Sequence, residues 1–461
     1  MFHRKLFALC VPGLLFTACS AGGGSSPDAG GDTGADAGPM FNFGWDWNGV
    51  IGTGQSLSVG GLGTPVLGTM QRFGNLKLAL GGATVPPFDP AIASLSMVPL
   101  VEPIRPDVGG YPSAYPGNID GETPHTAMAD QITQLVMDAA AGHDYVGVHS
   151  VVGESGQPMT VIKKNGVFPA TMGGTGARAY DATLFEVAAI KRLATEQGKT
   201  YGVGAVTLIH GESDAGNINY ANDLFQLISD YNADLLPLTG QTARILLLVN
   251  QQNSVPSGLN QVAVSAVQQW KAGVDHPADI VCVGPKYQYS YARDTTDHIH
   301  MGAIEYEKVG EKMGQVYYER VILGHDWQPL QPTSGEVSGN VITLHFHVPV
   351  PPLVWDDAVP QPHTNISEWA NGRGFEVSAA GPAQTIDAVE IVGADTVKIT
   401  CRSDLTGRAV TVGYAATGDG RFRPDGGTWR WGQLKDSDPF VGSMTHTAQP
   451  NWAVAFQMTV P

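Results

Sequence analysis

Basic residues are scarce in this chain of 461: 26 Lys and Arg face 43 Asp and Glu, a formal net charge of −17. Phosphate binding needs a basic face, so this balance argues against nucleic acid as a partner, and it would repel a polyanion unless the site were locally basic. Charged residues make up only 15% of the chain and apolar ones 43%, which excludes a disordered chain and leaves ample material for a core. No stretch reaches the ~20 consecutive apolar residues that a membrane-spanning helix needs. Cysteine is also scarce. Beyond the leader only Cys282 and Cys401 remain, both in apolar strand-like runs where a small buried hydrophobe is expected, with a disulfide between them left open. What is abundant is glycine (58) and proline (31), favouring a loop-rich protein with β content over a helical bundle. At roughly 100–200 residues per domain, the length suggests two to three domains.

Residues 1–19 read as an export signal, with Arg4 and Lys5 followed by a short apolar run from Leu6 to Thr17. The run ends Phe16-Thr17-Ala18-Cys19, which resembles a bacterial lipoprotein lipobox with Phe16 in the usual place of Leu. The resemblance implies that Cys19 is acylated through its thiol and becomes the new N-terminus. A secreted protein with a chance Cys19 is the alternative. Residues 20–40 are Gly, Ala, Ser and Asp with no bulky apolar residue before Met40, the composition of a flexible tether. Ser20 after the cysteine points, by the rules of that family, to the outer membrane of a bacterial envelope.

From residue 45 to about 323, buried-strand patterns at 49–53, 144–149, 204–209, 244–250 and 279–284 alternate with helical patterns at 125–140, 180–197, 220–236, 259–272 and 303–323. Five alternations predict an α/β domain over 41–324, a parallel sheet covered by helices on both faces with its site at the carboxyl ends of the strands. Residues 58–124, rich in Gly and Pro, break the rhythm and are a candidate substrate-covering wall. From about 325 the period changes to two. In 341–348, Ile342, Leu344 and Phe346 alternate with Thr343, His345 and His347, and similar runs follow at 374–377, 388–392, 396–401, 409–415 and 452–460. This predicts a β-sandwich over 325–461.

Three short blocks fall at predicted strand ends. Gly54-Gln55-Ser56-Leu57-Ser58 follows the first strand, where a tight turn can expose a serine hydroxyl; a plain turn or helix cap is the competing reading. His210-Gly211-Glu212-Ser213-Asp214 abuts the third strand, with capping by Ser213 or Asp214 as its alternative. Asp297-His298-Ile299-His300 follows the fifth strand, and an Asp three residues before a His can turn back onto its ring and fix the tautomer of a general base.

Together the blocks resemble the SGNH/GDSL hydrolase superfamily, and within it the sialate O-acetylesterase-like and plant-type carbohydrate esterases, over residues 45–323. The resemblance implies a flavodoxin-like SGNH fold with Ser56 as nucleophile, His300 as base and Asp297 as the acid that orients it. It further implies an oxyanion hole at the backbone N–H groups of Ser56 and Gly153, the latter in the stretch from His149 to Gly156. Leu57 stands where those esterases usually carry Asn, and His210 where they carry Gln, so His210 is a candidate side-chain donor. No cofactor or metal is implied. The expected substrate is an acetylated carbohydrate, reached by a protein held to a membrane through its N-terminal lipid; the sequence specifies no oligomeric state. Other esters, and a non-catalytic glycan-binding surface protein, remain alternative readings. So does a divalent metal held by His298, His300, Asp294 and Asp297. His298 as the base and Asp294 as the orienting acid are weaker variants. Trp355, Trp429 and Trp431 are candidates for either sugar stacking or packing.

Overall fold

A strand buried along its whole length, β1 (Trp47–Gly54), lies at the middle of a seven-stranded sheet. In the computed structural model the described residues are 44–79, 88–104, 121–140, 143–167, 178–291 and 298–461. The leader, Cys19, the 20–40 stretch, Asp294 and Asp297 lie outside them. The sheet also contains β2 (Leu76–Ala79), β3 (Ser96–Pro99), β4 (Gly147–Val151), β5 (Tyr201–Ile209) and β6 (Leu246–Gln251), while β7 (Leu259–Val262) pairs elsewhere and β8 (Ile280–Pro285) forms an edge. Its order is β3-β2-β4-β1-β5-β6-β8, all pairings parallel except β2 with β3.

The crossover helices are α1 (Pro124–Ala139), the short α2 (Met159–Ile162), α3 (Arg178–Glu196), α4 (Tyr220–Thr239), α5 (Val264–Asp275) and α6 (Ala303–Tyr317). Successive strand residues feed opposite faces. Val50, Ala205, Leu248 and Val281 join Met128, Ile132 and Met313 of α1 and α6 in one core. Ile51, Val206, Leu247 and Ile280 join Phe185, Ile190, Leu224 and Ile228 of α3 and α4 in the other. Alternation at period two inside apolar strands thus produces the two-faced sheet.

Three elements differ from the sequence expectation. The 58–124 stretch supplies β2 and β3, which extend the sheet rather than only covering it. Residues 259–262, expected as the start of a helix, form β7, which pairs with β16 (Thr417–Asp419) far along the chain. Tertiary pairing overrides local pattern there. The last helix ends at Tyr317 and closes in a π turn, Tyr318–Ile322.

Beyond residue 330 the strands are antiparallel. A four-stranded sheet has the order β13-β14-β10-β9, where β9 is Gln331–Ser338, β10 Val341–His347, β13 Ile386–Ile391 and β14 Thr396–Cys401. A three-stranded sheet is β12-β15-β18, with β12 Phe375–Ala379, β15 Val410–Tyr414 and β18 Phe456–Val460. Their inner faces share one core: Ile342, Leu344, Phe346, Val397 and Ile399 meet Val377, Val412, Tyr414 and Phe456. That core also includes Ala263, Ala266, Cys282 and Tyr287 from the α/β region. Cys282 and Cys401 are free buried thiols, pushed by burial up to about 12 and about 11. Among the described residues no helix is long and apolar enough to cross a membrane.

Two buried groups give the fold a pH signature. His125 at the start of α1 and His149 on β4 meet through their Nδ1 atoms at 3.1 Å, and burial pushes His125 down to about 3. The folded state therefore refuses a proton that the unfolded chain takes up near pH 6.5, so stability is full above that value and is lost as pH falls towards 3. Glu102 is raised to about 8 by burial and by the neighbouring Glu122. Its stability contribution is full below the unfolded value near 4.5 and is lost as pH rises through 8. Between ~4.5 and ~6.5 the two slopes oppose each other, so from these groups the melting temperature should be nearly flat there and fall on both sides. Each limb is worth about 1.4 kcal/mol per pH unit. In melting curves against pH, His125→Gln should make the acid limb shallower, leaving the share of His149, which burial also holds below the ordinary histidine value. Glu102→Gln should do the same to the alkaline limb, to which Glu122 and Glu307 also contribute; an unchanged slope in either variant would refute its assignment.

Candidate active site

The chain turns sharply where β1 ends. Gly54 has φ +135°, and a Cβ there would stand 2.1 Å from the carbonyl oxygen of Ile209 on β5. Only glycine fits this strand end without moving the neighbouring strand. Gln55 N still donates to Ile209 O at 3.2 Å, and residues 56–58 then form one 3-10 turn. Ser58 locks that turn through its backbone N–H and its hydroxyl, both donated to Gln55 O at 2.8 and 2.7 Å. Ser56 thereby stands at the carboxyl end of the central strand. Gly54→Ala is expected to lower stability by about 2–4 kcal/mol and to abolish whatever activity Ser56 supports. Thermal melting beside an activity assay checks this; a native melting temperature would contradict it.

His300 comes from the segment before α6, and its Nε2 lies 2.7 Å from Ser56 Oγ, hydrogen-bond distance for a nucleophile and its base. The hydroxyl of Tyr306 on α6 donates to Gly61 O at 2.7 Å, tying the helix after His300 to the loop after Ser56. His298, the other histidine of the block, does not pair with Ser56. Its ring stacks on Phe422 at 3.7 Å between centroids and meets Trp429 edge-on at 5.8 Å.

Gly153 lies just past β4, against the Ser56 turn: a Cβ on it would stand 2.1 Å from Ser58 Oγ. The next residue, Glu154, donates its N–H to Gly54 O at 2.9 Å, and its carboxylate receives Arg178 in two parallel bonds of 2.7 and 2.9 Å. Such a buried fork holds this loop in one arrangement.

His210 is fully buried, and both ring nitrogens are engaged. Nε2 donates to Gln157 O at 2.9 Å, which leaves Nδ1 to accept from Tyr220 O–H at 2.5 Å. Burial holds the ring below the ordinary histidine value, hence neutral. A neutral ring has one N–H, already spent on Gln157, so none remains for a substrate oxygen. The expectation that His210 donates to an oxyanion is corrected on this ground: the ring braces the 153–157 loop against β5.

The rest of that block is equally structural. Ser213 N donates to Gln55 Oε1 at 3.2 Å, Ser213 Oγ to Gly156 O at 3.1 Å, and Met159 N to Asp214 Oδ2 at 2.7 Å. Glu212 receives Lys286 Nζ at 3.1 Å in an ion pair buried on both sides. Lys286, Arg178, Glu154 and Tyr306 were not singled out from the sequence. Lys286 carried a signal, because a lysine directly after an unbroken apolar strand, β8, is hard to explain by burial alone.

Among the described residues no group of three or more His, Cys, Asp and Glu side chains is gathered as for a metal. Trp431 is a packing residue, buried with its Nε1 donating to Pro360 O at 2.7 Å. Trp355 is half-buried beneath Arg373.

No protein-family model and no curated protein matches the sequence. The fold is nonetheless similar to that of a carbohydrate acetylesterase from Xanthomonas citri, with a TM-score of 0.53 over 89% of this chain and 80% of that one, at 10% identity. A protein from Arabidopsis thaliana (TM-score 0.41, 16% identity, 62% of this chain and 100% of that one) and NanS (0.35, 12%, 60% and 97%) resemble it over less of its length. At 10% identity the likeness to the first of these is one of fold alone.

Proposed function

We propose that this chain is a serine esterase that removes O-acetyl groups from carbohydrate. The observation that carries the reading is the 2.7 Å contact of His300 Nε2 with Ser56 Oγ at the carboxyl end of β1, on a fold like that of a carbohydrate acetylesterase. Ser56 attacks the acetyl carbonyl as His300 takes its proton, and Asp297 orients the imidazole. The backbone N–H groups of Ser56 and Gly153 face the developing oxyanion. The sugar hydroxyl leaves with the proton from His300. Water then enters by the same route and frees acetate from the acyl-enzyme. We also propose that Cys19 carries a lipid and that residues 20–40 space the enzyme from a bacterial envelope membrane.

Acetate release from an acetylated polysaccharide and from a small acetyl ester tests the activity. Release from both supports the reading, and release from the small ester alone makes the protein an esterase of another substrate class. No release from any ester by folded protein sinks the proposal. Incorporation of labelled palmitate that disappears in Cys19→Ala tests the anchor.

A further inference from the structure

The β-rich region reaches the carboxyl-end side of the parallel sheet through residues 420–429. Arg423 donates to Tyr287 O, Gly426 O accepts Tyr291 N–H at 2.7 Å, and the Thr428 hydroxyl lies 3.2 Å from Asn253 O and 3.3 Å from His298 O. These partners follow β6 and β8 or immediately precede His300, so the loop crosses the carboxyl ends of the strands, where α/β sheets hold their ligands. The loop is internally braced as well, with Arg423 N donating to Thr428 O at 2.9 Å and Gly426 N to Arg423 O at 3.0 Å.

Two aromatic rings ride on this braced loop. Phe422 stacks one face on His298, two residues from His300, and stands edge-to-face with Trp429 at 5.8 Å and 89°. Phe422 nevertheless remains 39% exposed. A ring fixed by two neighbours has little conformational freedom left to lose, so its exposed surface binds an apolar partner at low entropic cost. Among the described residues, the two cations flanking Phe422 in the loop are paired: Arg421 Nε lies 2.9 Å from Asp419, and Arg423 Nε 2.5 Å from Asp425. A stacking surface whose charged neighbours in the loop are paired, on a chain of net charge −17, suits an uncharged sugar ring better than an anionic one.

We propose that Phe422, supported by Trp429, is a sugar-stacking subsite that receives the C–H face of a neutral pyranose whose acetyl group is presented to Ser56. The inference rests on the esterase reading and adds to it a residue that selects the substrate. A role limited to propping His298 would slow all esters alike, whereas stacking acts only on esters that carry a ring.

The test compares acetate release by the full chain from an O-acetylated xylo-oligosaccharide and from methyl acetate. Phe422→Ala should lower the ratio of the two kcat/KM values about tenfold, with the loss in KM for the oligosaccharide, and Phe422→Trp should restore most of it. In a Ser56→Ala background, calorimetry should show the oligosaccharide affinity falling by a similar factor when Phe422→Ala is added. An equal fall in kcat on both esters, or an unmoved ratio, overturns the subsite. Equal loss on an O-acetylated sialic acid overturns the preference for a neutral sugar. Hydrolysis of methyl acetate with no action on any acetylated sugar overturns the subsite while leaving the esterase standing, and no hydrolysis at all overturns both.

Discussion

Ser56→Ala is expected to lower acetate release by about four to six orders of magnitude, His300→Ala by a similar factor, and the double variant by no more than either alone. The reason is the single hydrogen bond at 2.7 Å that joins them. A serine hydroxyl is a poor nucleophile until a base takes its proton during attack, and in the acylation step that proton is the one the base takes. Removing either member therefore removes the same step. Binding and the backbone oxyanion donors survive, so the residual rate should still exceed that of water by about three orders of magnitude. Near-UV circular dichroism should be unaltered, because Ser56 contributes only a small side chain to the turn and the bonds that lock it come from Ser58. Additive losses in the double variant would mean that the two residues act in separate steps. Undiminished release by Ser56→Ala would mean that another group is the nucleophile.

The parts of this site that could be read from the sequence are those whose chemistry sits at a strand end. Ser56, the 210–214 block and His300 each follow a short apolar run, and polar residues abutting a buried strand stand out against the pattern. The five long strands were legible because each is buried on both faces and bounded by breakers. β2 and β3 were not, since four-residue strands with half-exposed residues carry almost no periodic signal. The role of His210 was misjudged for a different reason. Its residue type permits donation, but its partners, Tyr220 and Gln157, are ten and fifty-three residues away, and only the fold determines where its one N–H goes. Phe422 was invisible on the same ground: it lies in the β-rich region, 122 positions after His300 in the numbering, and nothing local marks it as a neighbour of the site.

That long-range contact belongs to a broader interface, from which a second large effect is expected: a chain ending at residue 324 should fail to fold cooperatively. Several polar ties would be cut. Gln251 exchanges two hydrogen bonds of 2.8 Å with the backbone of Ala455, Tyr287 O–H donates to Ala453 O at 2.6 Å, and buried Glu311 accepts from Met444 N, Thr445 N, Thr445 Oγ1 and Gln449 Nε2 at 2.6–2.7 Å. Water could replace most of these partners once they were exposed, so the polar ties alone do not decide the outcome. The apolar cover is different. Cys282 and Tyr287 are buried in the core they share with the β-rich sheets, and Trp270 packs on Phe456 at 5.8 Å. Uncovering a large apolar side chain costs roughly 1.5–3 kcal/mol. A few such losses rival the ~5–15 kcal/mol by which a whole domain is stable. β7 would also lose β16, leaving an unpaired strand beside a new apolar patch, a combination that promotes aggregation. Thermal melting of residues 41–324 beside residues 41–461 decides the matter. Loss of a sharp transition in the shorter chain, with its recovery in aggregates, is the expected result; a cooperative transition within a few degrees of the longer chain would mean that the α/β region carries its own stability and that the β-rich region is an attachment.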